Sequence, residues 1–224
     1  MNAKQAAAYK AVGHIKDRMI VGLGTGSTAY WAIQYLAEKV KQGLQVTAVA
    51  TSAETEKIAL QCGITIVALD TVDHIDMDID GADEIDDRMN LVKGGGGALL
   101  REKIVAAASR EFIVIAGNNK RVDVLGKFPL PVEIIPFGWQ HTARQLALLG
   151  CGTSLREKDA KIFITDSGNY ILDCHFDSIP EPAVLEQRIN NIPGVVDNGL
   201  FVKMATRVIL GCDDGTVKEF SDMQ

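Results

Sequence analysis

Three stretches of this sequence hold side chains whose types and spacing could carry chemistry. The first is Gly22-Leu-Gly24-Thr25-Gly26-Ser27-Thr28-Ala29, which follows an apolar run and opens a helical pattern. Its glycines allow a tight turn, and free N–H groups at a helix start attract an anion. Ser27 and Thr28 add hydroxyl donors, a set suited to a phosphate monoester. Gly24-x-Gly26-x-x-Ala29 also matches a dinucleotide fingerprint, but that fold needs an acid at the end of the next strand to hold the ribose. Thr51-Ser52 stands there instead. A plain turn with an ordinary N-cap is the competing reading.

The second stretch runs from Asp70 to Asp87, with nine acids and no Lys or Arg. Asp76-x-Asp78-x-Asp80-Gly81 with Asp87 at the twelfth place resembles a calcium loop. Ile75, Met77 and Ile79 alternate as in a strand, however, and the last ligand is Asp where a bidentate Glu belongs. Asp80 and Asp83, on either side of Gly81 and Ala82, fall at the carboxyl end of that strand, the edge where open α/β sheets bind ligands. Two carboxylates held close there drive their proton affinities apart, which serves acid–base work. The bland alternative is a solvated acidic loop.

The third stretch is Lys93-Gly94-Gly95-Gly96-Gly97-Ala98, leading into a helix that carries Glu102. Four consecutive glycines cost conformational entropy and mark a place where backbone must approach something closely. A lysine beside them and a helix start after them can cradle an oxyanion. Glu102 has Ala98 and Ala106 one turn away on either side, leaving room for a ligand beside its carboxylate. Arg101-Glu102-Lys103 also reads as a solvated charge cluster, yet successive helical residues point about 100° apart and cannot all share one narrow face. The four histidines have no ligand spacing, and Ser27 lies in no nucleophile elbow, so metal and triad chemistry are not indicated.

These groups need a scaffold. In residues 1–128 apolar runs alternate with helical stretches: strands at 20–24, 46–50, 64–69, 75–80 and 112–117, and helices at 27–43, 53–63 and about 98–109. That rhythm implies right-handed crossovers and a Rossmann-like parallel sheet. All six prolines lie between 129 and 193, where the rhythm changes. A strand at 131–135, a helix at 139–150, a hairpin of KIFIT and NYILDCHF around Asp166-Ser-Gly168, a helix at 182–192 and a strand near GLFVK make a ferredoxin-like α+β pattern. Residues 206–211 read as a further parallel strand. The expected domains are 1–128 plus 204–224, and an inserted 129–203.

Composition narrows the class. Of 224 residues, 47% are hydrophobic and 23% charged, with 23 Lys+Arg against 29 Asp+Glu, a net charge of −6. This is the balance of a soluble globular protein. It offers no apolar run of the ~18 residues a membrane span requires, no secretory signal in MNAKQAAAYK and no basic stripe for nucleic acid. Four scattered cysteines without a C-x-x-C pair fit a cytoplasmic, reducing compartment.

Taken together, GLGTGSTA at 22–29, TSAETEKIA at 51–59, DGADEID at 80–86, KGGGGALLREKI at 93–104, GKFPLPVEI at 126–134 and NIPGVVDNGLF at 191–201 resemble the type A ribose-5-phosphate isomerases over essentially the whole chain. The resemblance implies interconversion of ribose 5-phosphate and ribulose 5-phosphate in the non-oxidative pentose phosphate pathway, without metal or cofactor. It implies Glu102 as the base that moves hydrogen between C2 and C1, Lys93 as the cation that steadies an ene-diolate, and Asp80 and Asp83 as proton partners of the sugar oxygens. Thr25, Gly26, Ser27 and Thr28 become the substrate loop, with Ser27, Thr28, Lys4 and Lys120 near the phosphate. Gly81 and Ala82 fall between the two acids, and Gly94, Gly95 and Gly96 supply backbone donors. The family is usually dimeric or tetrameric, so a homodimer or homotetramer is implied. Arg18 departs from the small turn residue usual in that place, with an effect expected at a surface turn. A sugar-phosphate-binding regulator or a related deaminase, keeping the 25–28 loop but not needing Glu102, is the principal alternative. A nicotinamide-dependent oxidoreductase ranks below it for want of the ribose-binding acid.

Overall fold

The alternation of apolar strand and amphipathic helix builds a seven-stranded sheet in the order 217–221, 207–211, 109–117, 75–81, 20–23, 47–50 and 65–66. Neighbours run parallel except at the edge, where Val217–Ser221 pairs antiparallel with Arg207–Gly211. The computed structural model describes residues 1–221, which divide into two compact units. The sheet belongs to the first, made of Met1–Ala82, Arg101–Lys120 and the chain from Lys203 onward; the second holds Asp83–Leu100 and Arg121–Val202.

In the first unit one face of the sheet is oily. Val21, Leu23, Ala48, Met77, Ile79, Ile113, Ile115 and Ile209 share a buried cluster with Ala7, Ala8 and Ala11 of the helix Ala3–Val12 and with Ala32, Ile33 and Leu36 of the helix Ser27–Lys41. The buried positions 29, 32, 33, 36 and 37 of the longer helix recur at three and four residues, the spacing of a core-facing stripe. The chain runs outward from Ile20–Leu23 in one direction through Thr47–Ala50 to Thr65–Ile66, and then restarts on the other side of Ile20–Leu23 with Ile75–Gly81. That reversal is a topological switch point, and crevices for ligands open at the carboxyl ends of the two strands flanking it.

In the second unit a four-stranded antiparallel sheet has the order Val195–Asn198, Leu130–Ile134, Tyr170–His175, Gly152–Leu155. Numbered along the chain this is 4-1-3-2, with the helices Trp139–Ala147 and Pro182–Asn190 as its two crossovers. That is the split βαβ arrangement the sequence implied. Leu130, Val132, Ile134, Leu172 and Cys174 pack with Leu146 and Ile189 of those helices. A small sheet of Glu84–Ile85, Leu91–Val92 and Leu200–Phe201 completes the unit.

Several sequence expectations change. The strand expected at 64–69 shrinks to Thr65–Ile66, since this edge strand has one neighbour, and a 3₁₀ turn follows at Leu69–Thr71. KIFIT and NYILDCHF do not form a hairpin with each other. Tyr170–His175 pairs with 130–134 and 152–155, whereas Lys161–Ile162 pairs with Glu157–Lys158. The turn at 166–168 exists, but its flanking residues Thr165 and Asn169 both donate side-chain hydrogen bonds to the buried Glu133 carboxylate, 2.9 Å each, which docks the turn instead of extending a ladder. The last strand of the antiparallel sheet lies at 195–198, and Leu200–Phe201 crosses to pair with Leu91–Val92. The second unit also takes in 83–100 and 121–128, which the proline boundary leaves with the first domain. Strand pairing holds the former, and the latter is fastened by Glu84, which accepts the N–H groups of Gly126 and Phe128 at 2.7 and 2.6 Å.

Arg18 occupies a left-handed turn (φ 65°), with 86% of its side chain exposed. That backbone costs an L-residue about 1–2 kcal/mol, while glycine gives back part of the difference through its freer unfolded state. Arg18→Gly is therefore expected to raise stability by up to about 1 kcal/mol. Urea unfolding checks this, and a lowered midpoint contradicts it.

Candidate active site

At the switch point, strand alternation sets acids against glycines. Asp76, Asp78 and Asp80 share the face of Ile75–Gly81 opposite to the oily one, and Gly22 stands in register with Asp78. Asp78 and Asp80 are fully buried. A side chain on Gly22 would meet the Asp78 carboxylate and, at 2.8 Å, Val105; one on Gly24 would overlap the Asp80 carboxylate. The glycines of the IVGLG run thus make room for two buried carboxylates, besides shaping the turn that follows. Asp80 Oδ1 accepts the backbone N–H of Thr25 at 3.1 Å and that of Gly81 at 2.6 Å, which ties the acid to the 25–28 loop. Asp76, by contrast, accepts the N–H of Ile20 and pairs with Arg110 and His74 at the far end of the strand.

The loop itself is held from beneath by hydroxyls. Thr25 Oγ1 lies 2.8 Å from Thr51 Oγ1, 2.8 Å from Ser52 Oγ and 3.1 Å from Thr55 Oγ1. Thr51 donates onward to the carbonyl of Leu23, and Thr55 to that of Gly24. Ser52 also caps the helix Ala53–Gln61 by accepting the N–H of Thr55. The place where a dinucleotide binder keeps its ribose acid is therefore filled by groups that anchor the loop. With Thr25 turned inward, Gly26 and Ser27 are exposed and Thr28 is half-buried at the start of the helix Ser27–Lys41. Lys4 reaches this point from the helix Ala3–Val12, its Nζ donating to Ser27 Oγ at 2.8 Å. The start of that helix lies over the carboxyl ends of two strands because Gly211 has no side chain to strike the Ala3 carbonyl. Beside it an open cleft of about 590 Å³ is lined by Asn2, Lys4, Gly117, Asn119, Gly211 and Asp213. Lys120 is half-buried in the 3₁₀ turn 118–120, just past the carboxyl end of Ser109–Gly117.

Glu102 sits in the helix Leu99–Ala107 and is 4% exposed, whereas Arg101 and Lys103 on either side are half-buried. Val105, which lies against the Gly22 and Asp78 place, is three residues further on and so shares its side of the helix. Glu102 accordingly belongs to the sheet-facing side, with Ala106 buried at its next turn.

The second unit supplies a separate group. Lys93 is 2% exposed; its N–H donates to the Gly199 carbonyl at 2.8 Å, and its ammonium lies 5.4 Å from the centre of the Phe201 ring. The ring face contributes about 0.5–2 kcal/mol toward the cost of burying the ammonium. Asp83 N–H bonds the Val92 carbonyl at 2.8 Å, and its carboxylate accepts the N–H of Gly95 at 2.8 Å. A side chain at Gly95 would crowd that carboxylate and Phe128. Gly94 is buried, while Gly95 and Gly96 are exposed.

Of the residues singled out from sequence, the first unit joins Thr25 with Asp80 and Lys4 with Ser27, and the second joins Asp83 with Gly95. Gly81 and Ala82 are half-buried in the chain between the two acids. Of the acids in 70–87, Glu84 and Asp86 serve the fold: Glu84 fastens residues 126–128, and Asp86 closes its own turn by accepting the N–H groups of Arg88 and Asn90. The hydroxyls of Thr51, Ser52 and Thr55 escaped the sequence reading, although the TSAET run was visible. Among the described residues no cluster of three His, Cys, Asp or Glu side chains is arranged to hold a metal, and no helix is long and apolar enough to cross a membrane.

Residues 47–215 match the family model described as ribose 5-phosphate isomerase A (phosphoriboisomerase A). The chain is similar to ribose-5-phosphate isomerase A of Bacillus mycoides, at 50% identity over 98% of this chain and 100% of the relative. It is similar in structure to ribose 5-phosphate isomerase A of Methanocaldococcus jannaschii, with TM-score 0.93, 41% identity and 98% of each chain covered. A D-ribose-5-phosphate isomerase solved in complex with phospho-erythronic acid gives TM-score 0.94 at 41% identity, covering 99% of this chain and 100% of that one.

Thr55→Val removes the hydroxyl that bonds the Gly24 carbonyl and leaves that buried acceptor short of a donor. A loss of about 1–3 kcal/mol is expected in urea unfolding, together with faster hydrogen exchange at Thr25 and Gly26. Unchanged stability and exchange would show that the hydroxyl cluster does not hold the loop.

Proposed function

This chain belongs to the ribose 5-phosphate isomerase A family and is an isomerase, and we propose that it interconverts the aldose ribose 5-phosphate and the ketose ribulose 5-phosphate through an ene-diolate. The observation that carries the assignment of roles is the burial of three ionisable side chains: Asp80, Lys93 and Glu102, at 0%, 2% and 4% exposure. Burying an ionisable side chain is costly, and such groups gather at functional sites.

In this reading the Glu102 carboxylate removes the proton from C2 of the open-chain aldose and returns it to C1. Meanwhile one proton leaves O2 and one reaches O1, so that the net change moves a C–H and an O–H by one carbon. Asp80 and Asp83 exchange protons with the sugar oxygens and assist ring opening. The negative charge on the ene-diolate oxygens is met by the Lys93 ammonium and by N–H groups of the 94–96 loop, fixed donors that need no reorganisation at the moment of reaction. Ser27, Thr28, Lys4 and Lys120 take the phosphate at a helix start. The Lys4–Ser27 hydrogen bond supports this, since it holds a cation and a hydroxyl side by side. With a net charge of −6, the field at the pocket must come from such local lysines and not from the molecule as a whole. We also assign the chain to the non-oxidative pentose phosphate pathway, to the cytoplasm and to a homodimer or homotetramer. Its four free cysteines suit a reducing compartment, and light scattering reads the assembly directly.

The assay is purified protein with ribose 5-phosphate, no additives, and detection of the ketose. Glu102→Gln is expected to lower kcat by about 10²–10⁴-fold while ribose 5-phosphate still binds; an unchanged kcat refutes the base. Lys4→Ala is expected to raise KM about tenfold or more, the scale of one lost hydrogen bond to a charged group, and a KM equal to that of the unaltered enzyme removes Lys4 from the phosphate site.

A further inference from the structure

The glycine run 94–97 is the least self-determined backbone in the molecule, because a peptide unit between two glycines can rotate with no side chain to oppose it. If such units supply donors to an anion, something else must decide which way they point. In the second unit that something is a guanidinium group. Arg156 Nη1 donates to the carbonyl of Gly94 at 2.7 Å and to that of Gly95 at 3.3 Å. Its Nε donates to Asp173 Oδ2 at 3.0 Å, and its Nη2 to the other oxygen of the same carboxylate, a two-pronged pairing. Both side chains are largely covered, at 14% and 20% exposure. They stand on well-fastened backbone: Asp173 lies inside the strand Tyr170–His175, and Arg156 gives its N–H to Ile171 and accepts that of Phe163. Phe163 itself fills the space a side chain on Gly97 would need.

Peptide geometry turns this grip into an orientation. No peptide bond in the described chain is cis, so the C=O and N–H of each unit point in opposite directions. With the Gly94 carbonyl held by Arg156, the N–H of Gly95 must face away from it, and it is found 2.8 Å from the Asp83 carboxylate. With the Gly95 carbonyl held by the same group, the N–H of Gly96 is likewise turned to the far side, where the residue is exposed. A rotated unit would aim a carbonyl oxygen at Asp83 or at the anion.

We propose that Arg156, clamped by Asp173, is a positioning residue of the active site: by holding the carbonyls of Gly94 and Gly95 it fixes the amides that orient Asp83 and receive the ene-diolate. The inference rests on the isomerase reading above. Lysine cannot replace it, since an ammonium has no planar fork to join two carbonyls and a carboxylate at once.

The test compares the unaltered enzyme with Arg156→Ala, Arg156→Lys and Asp173→Asn in the ribose 5-phosphate assay. Arg156→Ala is expected to lower kcat about 10²-fold, the scale of a lost oxyanion donor, with KM within about threefold because the phosphate is gripped elsewhere. Arg156→Lys should keep the urea midpoint of the unaltered protein without regaining kcat, and added guanidinium ion should restore part of the activity of Arg156→Ala alone. Inhibition by phospho-erythronic acid, whose carboxylate offers two oxygens in place of the ene-diolate pair, should weaken in step with kcat/KM, while inhibition by inorganic phosphate stays unchanged. A kcat within threefold of the unaltered enzyme, a loss confined to KM, or equal weakening for both inhibitors overturns the proposal. Should Arg156→Ala fail to fold, Asp173→Asn, which keeps the arginine but loosens its clamp, must still lower kcat about tenfold in the same pattern, and normal kinetics there overturns it too. Absence of turnover by the unaltered enzyme would instead sink the isomerase reading and leave the hydrogen bonds of Arg156 in place.

Discussion

Neighbouring strands of a parallel sheet lie under 5 Å apart, so a carboxylate can be buried on the face of one strand only where the next strand leaves space for it. Gly22 and Gly24 leave that space for Asp78 and Asp80. This fit governs the rest of the sheet's carboxyl edge at the switch point. It puts an acid at the switch point with its oxygen on the Thr25 amide, and so couples the strand that ends in Asp80 to the loop that begins at Thr25. The same two strands present their other faces to an ordinary hydrocarbon core. One alternating pattern, apolar residues on one side and acid or glycine on the other, therefore builds the core and seats the carboxylates at once.

Within each unit, loops are held by hydrogen bonds from covered polar side chains and not by surface charge pairs. Thr25, Thr51, Ser52 and Thr55 crowd their hydroxyls around one oxygen, and the loop above takes its shape from them. Arg156 does for the glycine run what those hydroxyls do for the 25–28 loop, with a charged donor where bare glycines offer no side chain to grip. Preorganisation of this kind is what an anionic intermediate requires, because donors already in place do not have to be turned as charge develops.

Much of this was legible from local pattern. Alternation at 75–80 marked a strand, which the structure forms at 75–81. Helical periodicity separated Glu102 from its charged neighbours, which its burial bears out. The split βαβ class of the second sheet followed from element order, though two of its strands, 152–155 and 195–198, lie where the sequence reading placed none. What escaped depends on contacts between distant residues or on edges. Arg156 is 62 residues from the glycine it holds, and nothing in its own surroundings marks it. Glu84 looks like one more acid in an acidic run until Gly126 and Phe128 are seen to close on it. The hairpin expected at 161–176 does not form because a good turn sequence does not say whether its flanks will pair with each other or with other strands. The helix Ala3–Val12 did carry a signal, the reciprocal Asn2 and Gln5 cap.

The covalent path through the two units has a consequence for how the enzyme comes into being. The backbone passes from one unit to the other after Ala82, Leu100, Lys120 and Val202, so neither unit is a continuous stretch that a single cut could release. Moreover, the strand leading into Lys93 finds its partner in Leu200–Phe201, and the lysine's own amide rests on Gly199. The Lys93 backbone is therefore seated only once a segment far downstream has been made, and this part of the second unit cannot close as it first leaves the ribosome.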